Sequence, residues 1–165
     1  SLKKAMVIGT TGLSDENRQL ITKASSAIPI VFSPNMSVGV NVLFELVQLA
    51  AERLTGRFNF QVKIIEKHHQ HKKDTPSGTA KRLQELIGQV RSSRQLSPDV
   101  PCESIREGEI VGDHAVMFSS PFERLELTHH AETRDVFAVG ALKAAQFVVG
   151  KSPGLYSMAD VLRVR

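Results

Sequence analysis

The chain has 165 residues, 41% hydrophobic and 23% charged, with eight Phe, one Tyr, no Trp and a formal charge of +4, a composition of one or two compact domains that excludes a disordered polymer. No apolar run reaches the roughly 18 to 20 residues of a membrane helix, and Ser1-Leu2-Lys3-Lys4 leads into a short apolar strand instead of a long h-region, so an unexported, cytoplasmic protein is expected. The single cysteine, Cys102, leaves no partner for an intrachain disulfide or a Cys-pair zinc site and fits a reducing compartment.

In chain order, Ala5 to Gly9 reads as a short buried strand and Thr10-Thr11-Gly12 as a turn, after which Ser14-Asp15-Glu16-Asn17 caps a helix running to about Ser26. Ile28 to Phe32 is a second strand, ended by Ser33-Pro34-Asn35; strand, helix, strand is the parallel-sheet unit. Val40, Leu43, Phe44, Val47, Ala50, Ala51 and Leu54 keep helical spacing, which predicts one amphipathic helix over 38–54 stopped by Gly56. Phe60 to Ile64 alternates as a half-buried strand leading into Glu66 to His71, and Pro76-Ser77-Gly78-Thr79 opens a helix with Leu83, Leu86, Ile87 and Val90 on one face. After a loop over 92–101, strands are predicted over 113–119 and 124–130, joined by the hairpin Ser120-Pro121-Phe122-Glu123, with an edge strand over 105–111. A last helix over 133–149 carries Phe137, Ala141, Ala144, Ala145 and Val148, and Gly150 ends it. The fold expected is α+β: a mainly antiparallel or mixed sheet with flanking helices, preceded by the last strands of an α/β domain.

The positive charge is local. Between Lys63 and Arg94, Lys and Arg exceed Asp and Glu by five, while the rest of the chain carries −1; three of the six histidines also lie there, and no aromatic residue does. Nucleic-acid binders spread the charge along a face or interleave aromatics for stacking, so a small anion is the better match, with a solvated basic helix face as the plain alternative. Ser77 as N-cap puts Gly78 and Thr79 at the amide-rich, positive end of a helix, where Gly78 allows close approach of an anion. Lys72 can reach the same place, and the paired histidines supply a proton donor or acceptor near neutral pH.

Other readings of the segment compete. If the strand continued, His69 and His71 would share a face and bind zinc with Asp74, although Lys72 and Lys73 beside them would repel a dication. The string is not a phosphate-binding Walker loop, since the first glycine and the Gly-Lys-Ser/Thr order are missing. The histidines could also be purely structural. Gly9-Thr10-Thr11-Gly12 follows a strand and precedes a helix, where α/β sheets bind ligands, and Ser33-Pro34-Asn35-Met36-Ser37 ends the next strand on the same edge.

Val7-Ile8-Gly9-Thr10-Thr11-Gly12, Ser33 to Asn41, Glu66 to Ala80, Gly108 to His114 and Glu123 to His129, in this order, resemble the dihydrodipicolinate reductase family. The string His-His-x-x-Lys-x-Asp-x-Pro-Ser-Gly-Thr-Ala at 68–80 is its most specific part. The sequence departs from the family at its start, where no Gly-x-Gly-x-x-Gly occurs, and at Met36 and Arg106-Glu107-Gly108. The resemblance implies that residues 1–32 are a remnant of a truncated Rossmann-like dinucleotide domain and residues 33–165 a substrate-binding and oligomerisation domain.

It further implies reduction of a cyclic dicarboxylate, 4-hydroxy-tetrahydrodipicolinate, to tetrahydrodipicolinate in lysine and diaminopimelate biosynthesis, with NADPH or NADH as hydride source and no metal. By that resemblance His68 and Lys72 are catalytic, and His69, Gly78 and Thr79 bind substrate. Gly9, Thr10 and Thr11, with Ser33, Pro34, Asn35 and Met36, meet the nicotinamide end. The partner expected is a small-molecule dicarboxylate, with neither nucleic acid nor membrane, in a homo-oligomer that the family makes a tetramer. Without the nucleotide fingerprint the chain by itself is expected to be a poor catalyst. A non-enzymatic dicarboxylate-binding or scaffolding paralogue is the alternative.

Overall fold

A computed structural model describes residues 3–56 and 58–163; Ser1 and Leu2 of the N-terminal reading lie outside them. The elements are β1 (Met6–Ile8), α1 (Asp15–Ser25), β2 (Pro29–Phe32), α2 (Val38–Leu54), β3 (Gln61–His68), α3 (Gly78–Ser92), β4 (Cys102–Arg106), β5 (Asp113–Ser119), β6 (Arg124–His130), α4 (Asp135–Val148), β7 (Gly154–Tyr156) and α5 (Met158–Leu162). Helices accompany one parallel and one mixed sheet, the α+β class expected. No helix among the described residues is long and apolar enough to cross a membrane.

The chain forms two compact units, one of residues 1–41 and 135–165, the other of 42–134. In the first, β1, β2 and β7 form a parallel sheet in that order, pairing Ile8 with Phe32 and Val31 with Tyr156. Ser14 caps α1 by accepting the Asn17 amide at 3.3 Å. Val31, Met36, Ala144, Val148 and Met158 form the buried core. The short β7 and α5, which carry too few residues to show periodicity, are additions to the sequence reading. The buried stripe of α4 also differs from the expected one: it runs through Gly140, Ala144 and Val148, while Phe137 is 36% exposed. A Cβ at position 140 would lie 1.7 Å from the Met36 carbonyl oxygen, so the helix docks where it has no side chain. Gly140→Ala is therefore expected to destabilise the chain by at least about 2 kcal/mol, read as a lower denaturant midpoint; an unchanged midpoint would refute this packing.

The second unit is built on a four-stranded sheet in the order β4-β3-β5-β6. β4 is parallel to β3, and the hairpin β5-β6 is antiparallel. Its strand over 102–106 replaces the edge strand predicted over 105–111, because the chain turns at Gly108 with φ +50. Strand alternation governs what faces inward: Val62, Ile64, Glu66 and His68 of β3 are buried, as are His114, Val116 and Phe118 of β5. The register opposes Val62 to Phe118, Ile64 to Val116 and Glu66 to His114. α3 packs against β3, with Leu83 and Ile87 fully buried. At the end of α2, Gly56 takes φ +74, and the Arg94 guanidinium donates to the carbonyls of Glu52 and Thr55.

Candidate functional site

The apolar face of β3 ends in a carboxylate and an imidazole, which burial makes costly unless they are partnered. Glu66 is fully buried. Its Oε1 accepts from Arg106 Nη2 at 2.8 Å and from the Ser77 amide at 3.2 Å. Its Oε2 accepts from Arg106 Nη1 at 3.0 Å and pairs with His68 Nδ1. Arg106 reaches it because β4 runs parallel to β3 and sets Arg106 opposite His68. Burial pushes the Glu66 carboxyl up, but Arg106, Ser104 and His68 more than reverse this and hold it at about 2.

His68 is 7% exposed. Burial lowers its pKa, opposed by Glu66 and assisted by Lys72 and Arg106. His114 stands edge-on to it at 5.1 Å between ring centroids. Its Nε2 lies 3.2 Å from Ser77 Oγ, its Nδ1 has no hydrogen-bond partner among the described residues, and desolvation drops it to about 3. His114 is thus a neutral ring in a buried polar cluster.

Ser77 joins this cluster to α3. Its Oγ accepts the Ala80 amide at 3.2 Å, the N-cap the sequence predicts. Gly78, next in line, faces open space: among the described residues, its own helix turn and chain neighbours aside, nothing lies within 4 Å of where its Cβ would be. Thr79 is buried beside it. Lys72 sits in the loop between β3 and α3 with its ammonium 2.7 Å from Asp74 Oδ1. Burial raises the Asp74 carboxyl, and Lys72 outweighs it to leave the group below its usual range. Glu66, His68, Lys72, Ser77, Gly78 and Thr79 all belong to the second unit.

β3 ends at His68, so the shared strand face assumed for His69 and His71 does not exist. The chain leaves the strand there, His69 donating its amide to the Ile110 carbonyl at 2.7 Å. The His69 ring meets Arg134 Nη2 at 3.3 Å, whereas His71 is exposed. Among the described residues, the ligand-type atoms that converge within 4.8 Å belong to Glu66, His68 and His114 instead. There the Arg106 guanidinium already occupies both carboxylate oxygens, a fixed positive charge that disfavours a cation.

The first unit brings its two loops together. Because β1 and β2 are parallel, their C-terminal ends share one edge, and Ser33 donates its amide to the Ile8 carbonyl at 3.1 Å. A Cβ on Gly9 would meet Met36 Cγ at 3.2 Å. Ser33 Oγ donates to the Asn35 carbonyl at 2.7 Å, and Asn35 Oδ1 accepts the Ser37 amide at 2.8 Å. The loop is therefore held by its own polar groups, with Pro34 exposed and Met36 buried; Gly9, Thr10 and Thr11 are exposed.

Arg106, His114 and Arg134 have no role in the sequence reading, and Glu66 enters it only as part of the string. For Glu66 and His114 the signal is period two: Glu66 and His68 continue the inward set Val62 and Ile64, and His114 heads the set Val116 and Phe118; Arg106 and Arg134 carry no such signal. A carboxylate on such a face requires a cation nearby.

Two family models match the chain: dihydrodipicolinate reductase, C-terminus, over residues 39–162, and dihydrodipicolinate reductase, N-terminus, over residues 1–36. Curated relatives include 4-hydroxy-tetrahydrodipicolinate reductases of Nitrosomonas eutropha, 46% identical over 97% of this chain, and Aquifex aeolicus, 44% identical over 97%. The chain spans 65% and 64% of their respective lengths. A solved dipicolinate-bound dihydrodipicolinate reductase from Paenisporosarcina sp. TG-14 matches with a TM-score of 0.74 at 26% identity, covering 93% of this chain and 62% of that one.

Proposed function

Since the chain belongs to the dihydrodipicolinate reductase family, we propose that it carries the substrate-binding and catalytic part of an enzyme reducing 4-hydroxy-tetrahydrodipicolinate to tetrahydrodipicolinate. The observation that carries this reading is the junction of β3 and α3: a buried His68 paired with Glu66, Lys72 in the following loop, and the open helix start at Gly78. An anionic dicarboxylate is matched there by the amides of Gly78 and Thr79, the charge of Lys72 and the imidazole of His69, which Arg134 supports. His68 takes a proton at Nε2 from the ring carbon beside the 4-hydroxyl and gives it to the departing hydroxide, which leaves as water, and Lys72 moves from Asp74 to donate the one proton that accompanies the hydride.

NADPH or NADH, when bound, supplies the hydride. Gly9, Thr10 and Thr11 with Ser33, Pro34, Asn35 and Met36 are suited to its nicotinamide end only: one edge of a parallel sheet exposes the backbone of residues 9–11. No Gly-x-Gly-x-x-Gly is available for the pyrophosphate. On this reading the nucleotide-domain part is not residues 1–32 alone but the unit of 1–41 and 135–165, where β7 joins β1 and β2 in one sheet, and residues 42–134 carry the substrate and tetramerisation part of a cytoplasmic enzyme. The chain alone turns over poorly, because the adenosine half of the binding energy that positions the reacting end is missing.

The test is binding by the chain itself. Pyridine-2,6-dicarboxylate is expected to bind with a Kd on the order of millimolar, weakening with salt, and to shift the amide resonances of Gly78 and Thr79. Gly78→Val fills open space and is expected to abolish those shifts while leaving the fold intact. No shifts at tens of millimolar ligand would overturn the site.

A further inference from the structure

Glu66 has no role in the proton exchange just described, yet it is the most constrained polar group of the cluster. Four donors converge on its two oxygens: Arg106 twice, the Ser77 amide and His68 Nδ1. Four is about the number of lone-pair sites a carboxylate offers. With every site used the carboxylate is held in place, and it in turn holds the Nδ1 edge of the imidazole toward itself. An ionised carboxylate only accepts, so the ring nitrogen facing it must carry the hydrogen. In the neutral ring the lone pair then belongs to Nε2. That atom lies 3.1 Å from where a Cβ on Gly112, itself a buried residue, would be, so a side chain at 112 would press on Nε2. Gly112 does not use the left-handed backbone, so flexibility does not explain the glycine.

We infer that Glu66 is a positioning residue, which fixes His68 as the Nδ1–H tautomer and presents the Nε2 lone pair on the side where Gly112 has no side chain. The inference rests on the reading of His68 as the proton-exchanging group. It adds that His68 begins as a proton acceptor and that Arg106 and the start of α3 act through Glu66. The Ser77 amide belongs to the same helix start that is to bind the substrate carboxylate, so Glu66 ties the imidazole and the anion seat into one frame. The charged and titratable groups around His68 are Glu66, Arg106, Lys72, Asp74 and His114. Of these, Glu66 is the one whose carboxylate holds a ring nitrogen of His68.

Long-range proton–nitrogen NMR of the 165-residue chain reads the tautomer directly. At neutral pH the wild-type His68 is expected to show a protonated Nδ1 and an unprotonated Nε2. Glu66→Gln is expected to mix the tautomers and to move the ring's titration to lower pH, because a charge that favours imidazolium is lost. In the full-length reductase the same variant should lower kcat by about a hundredfold or more, with the KM for the dicarboxylate changed by less than about threefold. Gly112→Ala should keep the tautomer, displace the Nε2 signal and lower kcat by about tenfold. A wild-type Nε2–H tautomer refutes the inference, as does a Glu66→Gln variant with unchanged tautomer and kcat. If Glu66→Gln does not fold, the wild-type spectrum and Gly112→Ala decide. A tautomer that behaves as expected in an otherwise inactive full-length protein would sink the reductase reading and leave the positioning role standing.

Discussion

On the reductase reading proposed above, Lys72→Ala is expected to lower kcat by about a hundredfold to ten-thousandfold, the range a positioned general acid contributes, while substrate affinity falls far less. The ammonium's partner, Asp74 at 2.7 Å, has a half-exposed side chain, so the pair is easily opened. If Lys72 were only an anion clamp, the pattern would reverse: KM would rise and kcat would hold. His68→Ala should follow the first pattern, since the ring is buried against Glu66 and has little surface with which to bind substrate. Steady-state kinetics with the dicarboxylate varied at saturating cofactor separates these outcomes. Near-normal kcat in both variants would remove both residues from the chemistry.

Acidification should destabilise the chain in two overlapping stages. In the unfolded chain His114 takes up a proton near its ordinary 6.5, but the folded site holds it to about 3. Below pH 6.5 the unfolded state therefore binds the proton first, and stability falls as pH drops toward 3. The full difference amounts to as much as about 5 kcal/mol. His68 is shifted in the same direction. Glu66 then adds its own loss: its carboxyl is held at about 2 against an ordinary 4.5, so stability declines from about pH 4.5 downward, by roughly 3 kcal/mol in all. Denaturant midpoints from pH 7.5 to 3.5 measure this, and His114→Asn should flatten the curve above pH 4.5. A wild-type midpoint that does not move between pH 7 and 4 would show that His114 is solvated.

Much of the site was legible because it is local in sequence. Ser77, Gly78 and Thr79 announce a helix start through residue type alone, and Ser77 does cap α3. Lys72 and Asp74 are two residues apart and find each other in the same loop. The buried face of α3 follows from the spacing of Leu83, Leu86, Ile87 and Val90, all of which are buried. Short-range patterns have a physical limit. His69 and His71 would share a face only if β3 continued, and strand pairing with β4 and β5 ends at His68 and Lys67. The stripe of α4 was assigned by hydrophobicity, whereas contact with the Met36 backbone selected the glycine at 140.

Residue order alone carries the elements whose burial pattern repeats over several turns or alternations, the helix cap at Ser77 and the family to which the chain belongs. Tertiary structure decided what the polar residues on those elements meet. Glu66 and Arg106 lie forty residues apart and come together because β4 runs parallel to β3. His114 reaches Ser77 because the antiparallel register of β5 opposes it to Glu66. Neither juxtaposition leaves a trace in local spacing, since strand register is set by pairing across the sheet and not by the residues within one strand. The low dielectric inside the sheet then does the rest, making each buried charge dependent on a partner that only the fold supplies.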